Sequence, residues 1–217
     1  GQFYMTDPHR SIANNSAVYE AQPTNTELMD EWVALMKSGS GERGIFNRGS
    51  LAVTMPKRRV EYFKKFGFIS EDGVAQGSIG TNPCAEIILQ SKQFCNLSEV
   101  IARAHDTEAT LLKKARLATI LGTYQSTLTK FGYISKEWTD HCATERLLGV
   151  SITGQWDSPV ARQAEVMKKV RDVAVKTNAT YAKRFGVAQS MSVTAVKPSG
   201  TVSQTFNCAS GIHPRHA

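Results

Sequence analysis

The sequence predicts an α/β fold, either a barrel or a doubly wound sheet. Along its 217 residues, long helical patterns alternate with short β-branched apolar runs, the arrangement that buries strands against helices. No apolar run approaches the ~20 residues of a membrane-spanning helix. No internal repeat, low-complexity tract or Gly/Ser linker interrupts the alternation.

The first helix is predicted in TNTELMDEWVALMKSG, where Thr24 as N-cap and Glu27 three residues on form a capping box. Leu28, Trp32, Leu35 and Met36 then make an apolar stripe, and Gly39 ends it. GIFNRGSLAV (44–53) reads as extended. After it, PKRRVEYFKKFG (56–67) reads as an amphipathic helix with a solvated basic face. A long helix is predicted from about Asp106 to Lys130, with Leu111, Leu112, Ala115, Ala118, Leu121 and Leu128 on one face. Ser135 caps the next, which runs through Trp138 to Leu148. GVSITG (149–154) is a β-branched strand. Ser158 and Pro159 open a further helix that runs to about Phe185 and stops at Gly186. MSVTAV (191–196) is a second strand, leading directly into KPSGTVSQ.

A net charge of +7 suits an anionic partner, nucleic acid or nucleotide. A basic nucleic-acid-binding domain would have to rest on residues 56–67, and no nucleic-acid-binding motif accompanies them. Cys84, Cys95, Cys142 and Cys208 are too sparse for a disulfide scaffold. Without a CxxC pair or HxxxH spacing, no metal site is expected. The start, GQFYMTDPHR, lacks the apolar region of a signal peptide. A cytoplasmic protein with one or two chemically employed cysteines is expected, with no membrane partner. The first residue is Gly, and SGIHPRHA carries no capping element, so both ends read as continuing into a longer chain.

TNPCAEIIL (81–89) concentrates the chemistry. Pro83 biases Asn82 towards an extended conformation, in which Asn82, Cys84 and Glu86 would project to one side. Ile87, Ile88 and Leu89 would anchor the segment in a core. A carboxylate beside a thiol disfavours the thiolate, and no histidine base lies in the segment. A thiol kept protonated can instead donate a hydrogen atom, or carry a thiyl radical once oxidised, leaving Glu86 free as a general base. The plain alternative is a buried cysteine beside an ordinary strand, with Glu86 at its exposed edge.

Asn-x-Cys-x-Glu before an apolar run resembles the finger loop of ribonucleotide reductase large subunits. GERGIFNR (41–48), ERLLGVSITG (145–154), AVKPSGTVSQ (195–204) and SGIHP (210–214) resemble segments of that family in the same order. The resemblance implies part of a ten-stranded α/β barrel, with residues 1–217 as a partial catalytic barrel domain. By position, Cys84 resembles the thiyl-radical cysteine that takes the 3′-hydrogen of the ribose. Glu86 resembles the general base for the 3′-hydroxyl, and Asn82 the amide that holds substrate and carboxylate. Cys95 resembles one of two cysteines that supply reducing equivalents as the 2′-hydroxyl leaves as water. Its disulfide partner, in this family, would lie upstream of residue 1, so the 217 residues alone are expected to be inactive. Cys142 and Cys208 match no family cysteine and read as packing residues.

The wording around Cys84 is most similar to the class II, adenosylcobalamin-dependent reductases, and within them to the ribonucleoside-triphosphate enzymes. This implies adenosylcobalamin as cofactor, a ribonucleotide substrate and a thioredoxin-like dithiol reductant. The remainder of the reductase chain would be a further partner, and it would carry the allosteric specificity site. A class I diphosphate reductase large subunit and an inactive nucleotide-binding split segment are the alternatives. KPSGTVSQ, which alone reads as a strand-to-helix turn or an anion-binding loop, is implied to bind the substrate phosphates. Pro198, Ser199, Gly200, Thr201, Val202 and Ser203 would contribute, and Lys197 can add charge. SIANNSAVYE (11–20) also resembles a family segment and carries no assigned residue role. His213 is an even candidate for substrate contact, and His9, His105, His141 and His216 are expected on surfaces.

Overall fold

The computed structural model describes residues 6–39, 43–75 and 78–215. Gly41 and Glu42 of the GERGIFNR segment, and His216, lie outside the described residues. The chain divides into two compact units, one up to Ser91 and one from Lys92.

The first unit opens with a 3-10 turn, Pro8–Ile12, before strand β1 (Ala17–Tyr19). Helix α1 (Asn25–Ser38) follows, and β2 (Ile45–Asn47) then pairs parallel to β1, with Ala17 opposite Ile45. The capping box of α1 is present: the Glu27 N–H donates to Thr24 Oγ1 at 3.3 Å, and Glu27 Oε2 accepts the Thr24 N–H at 2.8 Å. Gly39 ends the helix in the left-handed region. The apolar stripe of α1 is not buried, however: Leu28, Trp32 and Met36 are exposed, and the helix has no buried residue.

The extended reading of residues 44–53 holds only for β2. A 3-10 turn, Arg48–Ser50, and a single helical turn, α2 (Leu51–Thr54), complete the stretch. The cause lies in the core, because Leu51 and Met55 are both buried and their i, i+4 spacing suits a helical turn. Gly49 permits the close return of the chain, since a Cβ there would lie 2.2 Å from the Glu20 carbonyl oxygen.

Helix α3 (Lys57–Lys65) is amphipathic, but its basic face is not wholly solvated. Arg59 is buried and its guanidinium lies 4.8 Å from the Phe63 ring centroid, where a cation meets the negative face of the ring. Phe63, Ile69, Ala75 and Ile79 join Leu51 and Met55 in the core of this unit. An antiparallel hairpin, β3 (Ile79–Thr81) and β4 (Ile88–Gln90), closes it, with Thr81 opposite Ile88.

The second unit is built on β5 (Asn96–Ile101), a strand the sequence reading did not assign. Helices α4 (Glu108–Gln125) and α5 (Lys136–Glu145) connect it to β6 (Leu148–Thr153), which pairs parallel with it from Asn96–Leu148 to Ile101–Thr153. Helix α6 (Ala164–Phe185) packs on α4 and ends at left-handed Gly186, and a short helix, α7 (Thr201–Thr205), follows. Val100, Leu148, Val150 and Ile152 turn one strand face towards Leu111, Ala115 and Ala118 of α4 and Val166, Val170 and Ala174 of α6. Strand alternation therefore puts Glu99, Ser151 and Thr153 on the other face.

Several boundaries differ from expectation. Helix α4 stops at Gln125, where the Ser126 and Thr127 hydroxyls donate to the Thr123 and Tyr124 carbonyls, and Leu121 and Leu128 are exposed. Ser135 stands at the N-cap of α5 without a side-chain cap bond, and left-handed Arg146 ends the helix before Leu148. Ser158 accepts the Ala161 N–H in a turn, and α6 itself begins only at Ala164. Residues 191–196 run beside β6, with the Leu148 N–H donating to the Ser192 carbonyl and the Ala195 N–H to that of Val150. They form only one bridge, Val150 to Thr194.

Asn178, fully buried on α6, ties three segments together. Its Nδ2 donates to Thr123 Oγ1 at 3.0 Å and Ser190 Oγ at 2.9 Å, and its Oδ1 accepts the Ser190 N–H at 3.0 Å. Asp157 similarly anchors the segment after α7. Its Oδ2 accepts the Ala209 N–H at 2.8 Å, and Arg215 donates to both carboxylate oxygens at 2.9 Å. The Arg215 guanidinium holds the Asp157 carboxyl below the usual carboxylate range.

Asn178→Ala strands buried partners at about 1–3 kcal/mol each, so a loss of about 3 kcal/mol is expected from the urea unfolding free energy. The depressed Asp157 group stabilises the fold above the ordinary carboxylate pKa of about 4, and that contribution is lost as pH falls through the lower folded-state value. The stability difference between the parent and Asp157→Asn should therefore be full in urea titrations at about pH 6 and shrink at about pH 3.

Candidate functional site

Asn82, Cys84 and Glu86 share the loop of the β3–β4 hairpin rather than an extended strand. The loop is closed by the backbone and side chain of Asn82. Its N–H donates to the Ile87 carbonyl at 3.1 Å, its carbonyl accepts the Ala85 N–H at 3.0 Å, and its Oδ1 accepts the Ile87 N–H at 3.0 Å. Ala85 takes a left-handed φ of 64°, which turns the chain between the thiol and the carboxylate. Pro83 still keeps Asn82 out of a helix, but the pairing of Thr81 with Ile88 leaves six residues to make the reversal. Cys84 is consequently exposed at the tip, Glu86 is half-buried beside it, and Ile87 is buried as an anchor. Asn14, in the SIANNSAVYE segment, donates from Nδ2 to the Pro83 carbonyl at 3.1 Å, a support for the loop that spacing did not reveal.

In the second unit, Cys95 is half-buried immediately before β5. It borders a cavity of about 310 Å3 together with Asn96, Gln125, Thr129 and Cys142. Cys142 and Cys208 are buried, as packing residues should be. Cys142 Sγ accepts the Phe94 N–H at 3.3 Å, and burial pushes its thiol up. Neither observation suits Cys142 to thiolate chemistry.

The loop after residue 196 is a tight, strained turn. Ser199 has φ 70° and Gly200 φ 51°, and the Gly200 N–H donates to the Pro198 carbonyl at 2.9 Å. Ser199 and Ser203 are buried, with the Ser203 hydroxyl donating to the Gly200 carbonyl at 3.1 Å. Ser199 Oγ accepts from Thr153 Oγ1 at 2.8 Å. Two of the three hydroxyls in the loop thus face inwards, while Thr201 stays exposed with Pro198 and Gly200, and Val202 is half-buried. The Gly200 and Val202 N–H groups are already bonded to the Pro198 and Ser199 carbonyls, so an anion at this turn would be met by the other N–H groups that enter α7. The Lys197 N–H donates to Ser151 Oγ at 3.1 Å, fixing the approach to the loop.

His9, His105 and His213 are exposed, and the His213 N–H donates to the Ser210 carbonyl at 2.9 Å. His141 is half-buried rather than on the open surface. Among the described residues, no group of three or more His, Cys, Asp or Glu is placed to hold a metal ion, and no helix is long and apolar enough to cross a membrane.

No family model matches the sequence. The chain is 27% identical to the adenosylcobalamin-dependent ribonucleoside-triphosphate reductase of Lacticaseibacillus paracasei, over 96% of this chain and 30% of that protein. It is 24% identical to the reductase of the same description from Levilactobacillus brevis, with the same coverage. A solved B12-dependent (class II) ribonucleotide reductase shares 25% identity over 65% of this chain and 24% of its own, with a TM-score of 0.46. The chain is therefore similar to adenosylcobalamin-dependent ribonucleoside-triphosphate reductases over 96% of its own length, and it spans about 30% of theirs.

Proposed function

We propose that the chain is the part of a class II reductase barrel that reduces ribonucleotides, in the cytoplasm, to 2′-deoxyribonucleotides. The observation that carries this reading is the finger hairpin: an exposed thiol at the tip, a half-buried carboxylate two residues on, and an amide spent on closing the loop. The relatives are named for adenosylcobalamin and for ribonucleoside triphosphates, which makes a triphosphate the proposed substrate.

An exposed cysteine suits a cofactor that must reach the thiol from outside the hairpin, and Cys84 meets that requirement. When bound, adenosylcobalamin supplies radical chemistry through its carbon–cobalt bond. The chain's own residues do the rest. Cys84, as a thiyl, takes the hydrogen atom from C3′ and becomes a thiol again. Glu86 accepts the 3′-hydroxyl proton while the 2′-hydroxyl leaves as water. Cys95 and a second cysteine of the reductase give up two electrons and two protons and are left as a disulfide. Cys84 returns its hydrogen to C3′ while Glu86 gives the proton back to the 3′-oxygen, and a thioredoxin-like dithiol reduces the disulfide for the next cycle. Asn82 keeps the loop that presents Cys84 and Glu86 in one shape. The turn from Pro198 to Ser203 receives the phosphates, chiefly through backbone N–H groups and the exposed Thr201 hydroxyl.

In the reductase carrying this chain, Cys84→Ser should abolish conversion of ribonucleoside triphosphate to its 2′-deoxy product. Nucleotide affinity should stay within about twofold, because the hydroxyl fills the space of the thiol without its hydrogen-atom chemistry. Turnover that survived the substitution would remove Cys84 from the radical step. Glu86→Gln should lower kcat by about 10²–10⁴-fold, the range expected for loss of a general base, measured in the same product assay.

A further inference from the structure

Glu99 lies at the fourth position of β5, opposite Ser151 of β6, on the face turned away from α4 and α6. Nothing in the spacing of the sequence draws attention to it. Its Oε1 is buried without a hydrogen-bond partner, and a carboxylate oxygen in that position is costly unless the group is held for a purpose. Around it stand the residues that shape the strained turn. Ser151 Oγ accepts the Lys197 N–H, and Thr153 Oγ1, which itself accepts the Gly211 N–H at 2.9 Å, donates to Ser199 Oγ. Burial pushes the Glu99 carboxyl up, against the nearby Lys197 charge and a hydrogen bond from Ser199.

The hydroxyl of Ser199 has one proton to give. The Thr153 hydroxyl has one proton and two acceptors in reach, Ser199 Oγ at 2.8 Å and the Ala209 carbonyl at 3.1 Å. When that proton goes to Ser199, the Ser199 proton is left for an acceptor on the β5 side, where Glu99 stands. Ser199 is a non-glycine residue at φ 70°, a conformation that costs of order 1–3 kcal/mol and persists only where its surroundings hold it. Thr153 on β6 bonds Ser199 directly, and Glu99 on β5 is placed to hold the same hydroxyl from the second strand.

We propose that Glu99 is a positioning residue for the phosphate-binding turn, acting through the Ser199 hydroxyl to keep residues 198–201 in the strained conformation that receives the substrate phosphates. The proposal rests on the assignment of that turn to the phosphates. Glu99 touches no reacting atom and leaves the chemical step alone. Its loss relaxes Ser199 and withdraws the backbone donors from the phosphates.

The test uses the full reductase and compares the KM for CTP with the inhibition constant of cytidine against CTP, their ratio reporting what the phosphates contribute at this site. Glu99→Ala should raise the KM for CTP by about tenfold, the size expected for a lost charge-assisted hydrogen bond. The cytidine constant and kcat should stay within about threefold. Glu99→Gln, whose amide oxygen still accepts the Ser199 proton, should restore the ratio to within about threefold of the parent. If Glu99→Ala does not fold, Glu99→Asp serves in its place, because it keeps the charge and retracts the acceptor by one methylene. An Ala or Asp variant that retains the parent ratio within about twofold overturns the proposal, even if its melting temperature falls. A Gln variant as impaired as Ala overturns it too, by making charge rather than the hydrogen bond decisive. A parent enzyme that binds CTP no better than cytidine would instead refute the phosphate assignment of the turn, a result separable from both.

Discussion

The second unit depends on the parallel register of β5 against β6. Parallel strands need a crossover, and α4 with α5 provides it. Once the register is set, the period of two divides each strand between an apolar face and a polar one. Val100, Leu148, Val150 and Ile152 must be covered, and α4 and α6 cover them. Glu99, Ser151 and Thr153 are left on the other side with no hydrophobic duty, and there Ser151 and Thr153 take hold of the turn through Lys197 and Ser199. A one-residue slip of β5 would put Val100 where Glu99 stands and break both arrangements. The same pairing thus supports the core and the loop that binds phosphate in the proposed function.

The finger hairpin works under a different constraint. Its strands are three residues each, too short to define a six-residue loop by pairing alone. The loop therefore defines itself, with Asn82 bonding across it and left-handed Ala85 completing the turn. A cysteine at such a tip is exposed, while the carboxylate two residues on is drawn back towards buried Ile87. In the proposed function, exposure and proximity are both needed, because the thiol must meet an external radical source and then a substrate held beside a base.

Much of the fold was legible because it rests on local chemistry. The capping box at Thr24 and the left-handed glycines at 39 and 186 each depend on neighbours a few residues away. What was illegible involved partners far along the chain. Strand β5 was not assigned, and the places of its polar residues Asn96, Ser98 and Glu99 are set by pairing with β6, some 52 residues on. The stripe on α1 had the right spacing and yet stays exposed, since periodicity identifies an apolar face without supplying what covers it. Arg59 was counted with the solvated charges, and only the position of the Phe63 ring shows why it is buried.

The site divides in the same way. The sequence offered Asn82, Cys84, Glu86, Cys95 and the KPSGTVSQ turn as candidates, the first three through a thiol, an amide and a carboxylate at alternate positions, and the roles of all of them through a family resemblance. Tertiary structure decided how they are used. It made the Asn-x-Cys-x-Glu segment a closed loop rather than an extended strand, and it turned the Ser199 and Ser203 hydroxyls inwards. It also set Glu99 opposite Ser151, the residue that bonds the start of the turn at residue 197. The physical reason is that hydrogen-bond partners of a polar side chain are fixed by which segments pack together, and Asn14 and Pro83, for example, lie 69 residues apart.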